Sequence, residues 1–129
     1  MAKELKFQYV IDTINANYDF SPTPFRVFPG ALLNAAGTNE GACRVLAFAK
    51  DQSIDSQKDV VLELFAEHYD AVLANPNGAK HQNIRLVMQH GAEEVEFSCW
   101  PLSKKKEFDD AEISQLIEAA RVHARQRRK

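Results

Sequence analysis

The chain has 129 residues, with 45% hydrophobic and 26% charged side chains and a net charge of −2. That length fits one domain with a modest core, and the near-neutral charge excludes a whole-domain basic footprint for nucleic acid. Five Gly and five Pro exclude collagen-like or proline-rich disorder.

Residues 5–18 place Leu5, Phe7, Val10, Ile11, Ile14 and Tyr18 at helical period, which predicts an amphipathic helix. Ser21-Pro22-Thr23-Pro24 ends it, and Phe25 to Phe28 predicts a short strand. Asn34 to Gly41 predicts a polar loop, with Gly37 and Gly41 free to adopt positive φ. The next helix starts near Thr38 or Asn39 as N-cap and is apolar around most of its circumference, from Cys43 to Ala49. Ser56 to Asp59 resembles a capping box, and the helix after it carries Val61, Leu64, Phe65, His68 and Val72 on one stripe. Asn75 to Gly78 stops it. A shorter helix spans about His81 to His90, with Gly91 as C-cap. Val95, Phe97 and Cys99 alternate with polar residues and predict a half-buried strand. Lys104 to Lys106 reads as a solvated linker, and Phe108 to Ala124 as a last helix with a basic, fraying end. The sum is an α+β fold: a mostly helical single domain with a small antiparallel sheet. Phe48, Leu64, Phe65, Ile84 and Phe97 are its expected core.

Two cysteines are too few for a disulfide scaffold and predict reduced thiols in a cytoplasm. No apolar run reaches the length of a membrane helix, and the start of the chain lacks a secretory pattern. A cytoplasmic protein is therefore expected, with no membrane and no nucleic acid among its partners.

Asn34 to Ala49, with Leu64-Phe65, Tyr69, Val72-Leu73 and Pro76 and then His81-Gln82-Asn83-Ile84-Arg85, resemble the HopJ type III effector family. The resemblance implies a HopJ-like domain over residues 1–103; residues 104–129 lie outside it and read as a basic linker and a C-terminal helix packed on the same domain. It implies no settled biochemical activity. The family is named after a plant-pathogen effector, so delivery into a host cell is one expectation the name carries.

Cys43 is the candidate nucleophile. It lies one turn inside a helix start, where the dipole favours a thiolate. His81 or His68 would be its base, oriented by Asn39 or Asn83. Its neighbours Val45, Leu46 and Ala47 favour the opposite, a buried thiol with a raised pKa. Asn34, Gly37, Asn39, Gly41, His81, Asn83 and Arg85 are the candidate binding set. Arg85 offers a fork for a carboxylate or phosphate, or else Asn83 and Arg85 hydrogen-bond the backbone of the Asn34–Gly41 loop and hold it down. A metal would need His68, His81 and His90 to converge, and no CxxC or HExxH spacing is present, so no metal and no cofactor are expected. The expected function is a binding or regulatory module for a protein or a small anionic ligand, ahead of a Cys43-dependent enzyme acting on an acyl or amide bond.

Overall fold

A computed structural model describes residues 5–127. Six helices and four short strands follow in the order α1 (Phe7–Asn17), β1 (Tyr18–Phe20), β2 (Phe25–Arg26), α2 (Glu40–Asp51), α3 (Lys58–Glu63), α4 (Glu67–Ala74), α5 (Gln82–His90), β3 (Glu96–Phe97), β4 (Leu102–Lys104) and α6 (Asp110–Arg127). The fold is α+β. Its strands form two antiparallel ladders instead of one sheet: β1 with β4, and β2 with β3.

α2 is the central helix. Val45, Leu46, Ala47, Phe48 and Ala49 are all fully buried, because helices or strands cover it on every side below its first turn. Phe48, Leu64, Phe65 and Ile84 join one cluster, as their inward stripes predict. Phe97 packs against that cluster but is only partly buried, at the edge where its ring stacks on Phe25.

The first helix starts at Phe7, two residues after Leu5, and ends at Asn17, one residue before Tyr18. Asn17 ends it with its own side chain, which donates to the Thr13 carbonyl at 2.8 Å and to Glu112 at 3.0 Å and accepts from the Asp109 backbone N–H at 2.7 Å. The chain leaves in extended conformation, and Tyr18 opens β1, opposite Lys104. Lys104 is therefore a strand residue and not part of a linker. The ladder between β1 and β4 closes only when residues far apart in sequence meet, so no local signal announces it.

The predicted Val95–Cys99 strand is two residues long. Beyond Phe97 the backbone N–H groups of Ser98 and Cys99 turn to the Pro24 carbonyl and the Thr23 hydroxyl, and Cys99 is exposed.

One predicted helix is two. Ala66 adopts φ 51°, ψ −123°, and this break separates α3 from α4. Ser56 caps neither helix; the N-cap residues are Gln57 and Ala66. Val61, Leu64, Phe65 and Val72 keep their predicted burial, but His68 leaves the core stripe.

α6 runs on to Arg127 and buries Ile113, Leu116, Ile117, Ala120 and Ala124. Its end does not fray as expected within the described residues. The Arg127 guanidinium pairs with Glu63 and Asp70 and lies over the Tyr69 ring.

Candidate functional site

The Asn34–Gly41 segment and the start of α5 meet. Asn34 forms an isolated bridge with Phe25, which fixes its backbone beside β2. Its carboxamide exchanges hydrogen bonds with Asn83 in both directions, each 3.1 Å, and accepts another from Asn39 at 2.9 Å. The expected tie therefore exists as a pair of side chains, not as Asn83 bonded to loop backbone. Amide pairing of this kind satisfies a donor and an acceptor of the buried Asn83 at once, which a single bond to a carbonyl would not.

Arg85 does not join it. Its guanidinium spans three carbonyls of the preceding turn, those of Lys80 (2.8 Å), Pro76 (3.0 Å) and Asn75 (3.0 Å). Three of its five N–H donors shape the Asn75–Lys80 turn, and none of its hydrogen bonds reaches the Asn34–Gly41 loop. Gly37 does have positive φ, 85°, but it stands apart from the other candidates. Gly41 lies in the first turn of α2 and not in the loop. A Cβ there would come within 2.8 Å of the Phe7 ring, so glycine lets that ring close on the helix, and its role is contact rather than φ.

Five of the candidates line one cleft of about 400 Å³: Asn34, Asn39, Gly41, His81 and Asn83. Two helix starts open on it. Gly41 and Ala42 come from α2, while Gln82, Asn83 and Ile84 come from α5. The N-cap residues are Asn39 and His81, both left-handed, and neither caps its helix through its side chain. Asn39 turns its amide to Asn34 instead. First-turn N–H groups have no intrahelical acceptor, so both helix starts present donors here.

The rest of the lining is aromatic. Phe65, Phe7, His68 and His81 follow one another in ring contact, with centroid separations of 6.4, 4.7 and 5.0 Å. His68 reaches the cleft because the break at Ala66 re-aims the start of α4. The same break brings Glu67 to the Phe7 N–H, at 2.6 Å. That hydrogen bond is the leading reason the Glu67 carboxyl is held below its ordinary pKa. Burial first, then the positive potential of His68, Arg85 and Lys80, holds the His81 imidazole below its ordinary value. The role of Phe7 and the pairing of His68 with His81 have no signature in the sequence. Both depend on where a helix breaks, and Phe65-Ala66-Glu67 contains no glycine or proline to mark it.

Cys43 does not line this cleft. Its side chain is in the core, 2% exposed, and burial pushes its thiol up to about 11 despite the neighbouring Arg44. His90, third of the histidines considered for a metal, stacks on Phe28 at 3.9 Å. Among the described residues no three His, Cys, Asp or Glu side chains are grouped to hold a metal ion.

The geometry can be set beside known proteins. Residues 1–102 match the family described as HopJ type III effector protein. The chain belongs to the HopJ family. It is also similar to a protein of unknown function, VPA0580, whose crystal structure superposes with a TM-score of 0.72 at 33% identity, over 79% of this chain and 82% of that one. No curated protein matches it. The HopJ match takes in the whole cleft and stops before α6.

Proposed function

We propose that this HopJ-family chain is a binding module that takes a small anion, a carboxylate or a phosphate, into the cleft between α2 and α5. One observation carries the reading: two helix starts without side-chain caps open on the same cleft, beside two imidazoles in contact. Each helix start carries a partial positive charge and free N–H donors, the arrangement that receives anions at helix N-termini. The volume falls within the range of small-molecule sites. An acyl-transfer enzyme built on Cys43 draws no comparable support. A nucleophilic thiol must ionise and meet its substrate, and burial opposes both.

Inorganic sulfate tests the reading, because it does not titrate near neutral pH. In a two-dimensional amide NMR titration, sulfate should move the N–H resonances of Gly41, Ala42, Gln82 and Asn83. Binding should tighten as pH falls below about 6.5, the ordinary imidazole value. His81 is held neutral by its surroundings in the free protein, and a bound dianion favours its protonated form, so binding takes up a proton. Amide shifts scattered elsewhere, or none, would defeat the proposal.

The module's place of work is proposed as the bacterial cytoplasm, on the strength of two free thiols and of described helices none of which is long and apolar enough to cross a membrane. The family description favours a second reading, delivery into a host cell through a type III system. A reporter enzyme active only in host cytoplasm, fused to the chain's C-terminus, separates the two: signal in host cells supports delivery, and signal absent from a secretion-competent strain supports the first.

A further inference from the structure

The geometry points to a ligand whose anionic head is joined to a flat ring, with Phe7 as the residue that selects the ring. This inference rests on the anion-binding reading above and names the class of ligand that the same cleft takes.

Size gives the first argument. One water occupies about 30 Å³ of liquid, and a bare inorganic anion is only a few times larger. A cleft of about 400 Å³ leaves most of its space unfilled around such an ion. Around that space Phe7, His68 and His81 present their rings, beside the amides of Asn34, Asn39, Gln82 and Asn83. Phe65, Phe7, His68 and His81 form a continuous run of rings, and Ile84 and Ala79 complete an apolar surround. Rings prefer offset or edge-to-face contact with other rings, a gain beyond simple burial of apolar area.

Phe7 is built into place. Its backbone N–H is held by Glu67, across 60 residues of sequence, and its ring rests against the α2 backbone where Gly41 lacks a Cβ. It therefore sits directly beside the first turn of α2, the helix start to which the anion would bind. An anion held at Gly41 and Ala42 would have the Phe7 ring as its neighbour, which suits an acid whose carboxylate is attached directly to a ring. Aliphatic bodies of the same volume fill the space but forgo the ring contacts.

Three monocarboxylates that are ionised at pH 7 test this: acetate, cyclohexanecarboxylate and benzoate. Amide NMR titration should give benzoate the tightest binding, about two- to tenfold tighter than cyclohexanecarboxylate, as one added aromatic contact supplies. Phe7→Leu should reduce that ratio to near one. Gly41→Ala, which pushes the ring aside while favouring the helix, should reduce it as well, and it covers the case in which Phe7→Leu does not fold. Equal binding of benzoate and cyclohexanecarboxylate, or a ratio that survives both substitutions, would overturn the ring preference and leave the anion site standing. Benzyl alcohol binding as tightly as benzoate would overturn the anion site and leave the ring preference standing. No binding of any of the four at millimolar concentration would overturn both.

Discussion

Asn34 and Asn83 each donate to and accept from the other, at 3.1 Å in both directions, across 49 residues of sequence. The pair fastens the loop before α2 to the first turn of α5, and so sets the width of the cleft.

Asn83→Asp keeps the shape of the side chain and removes its donor. The Asn34 oxygen then loses one of its two partners, with Asn39 as the other. Since Asn83 is buried, stability should fall by about 1–3 kcal/mol. Urea unfolding measures it. A change below about 0.5 kcal/mol would mean that the pair contributes shape without energy.

Ala66→Gly should stabilise the protein. At φ 51°, ψ −123° an L-residue is strained by about 1–3 kcal/mol, and glycine is not. The substitution gives up one methyl group in the core, worth about 1 kcal/mol, and adds freedom to the unfolded chain. The expected net gain is at most about 1 kcal/mol, read as a rise in melting temperature. A loss of similar size would show that the methyl group's packing outweighs the strain.

Cys43 and Cys99 should differ sharply with iodoacetamide at pH 7. Cys99 is exposed and should react first, while Cys43 should resist until the protein unfolds. The sign of the pH dependence follows from the thiol being held up, to about 11. The buried neutral thiol contributes its stability fully below the unfolded value of about 8.5, and loses it as pH rises toward 11. Cys43→Ser should lower stability, since a hydroxyl loses more than a thiol on leaving water for the core. Rapid alkylation of Cys43 in folded protein would contradict its burial.

Glu63 is 3% exposed and its carboxylate meets Arg127, whose side chain is 37% exposed. Arg127→Ala should cost about 1–3 kcal/mol, less than the loss at a fully buried pair because water screens the arginine's outer side. Glu63→Gln in the Arg127→Ala background should recover part of that loss, because it removes the stranded charge. A double-mutant cycle measures the coupling directly, and an additive result would show that Glu63 finds another cation.

Helix periodicity was sufficient for most of the secondary structure. It located α1, α2, α5 and α6 to within a few residues, and it identified Phe48, Leu64, Phe65 and Ile84 as core. These features are local. A residue's place on a helix face depends on neighbours three and four positions away, and the sequence states those directly. The motif residues of the HopJ family were legible in the same way. Five of the seven residues nominated for binding share one cleft, because Asn-rich loops and helix starts carry their signals within a few positions.

Everything that makes those residues a cleft is non-local. The helix break at Ala66, which turns His68 toward His81, follows from packing on both sides and not from a breaker in the sequence. Phe7 looked like one more apolar residue of an amphipathic helix until Glu67 and Gly41 fixed it at the mouth of α2. Arg85 carried the strongest local chemistry of the set, yet it turns to three carbonyls of one turn instead of the Asn34–Gly41 loop. Cys43 had a helix start in its favour, and burial in the core outweighed it. Local sequence determines which groups can donate, stack or ionise. Which of them remain free to meet a ligand is decided by contacts across tens of residues, and those exist only once the chain has folded.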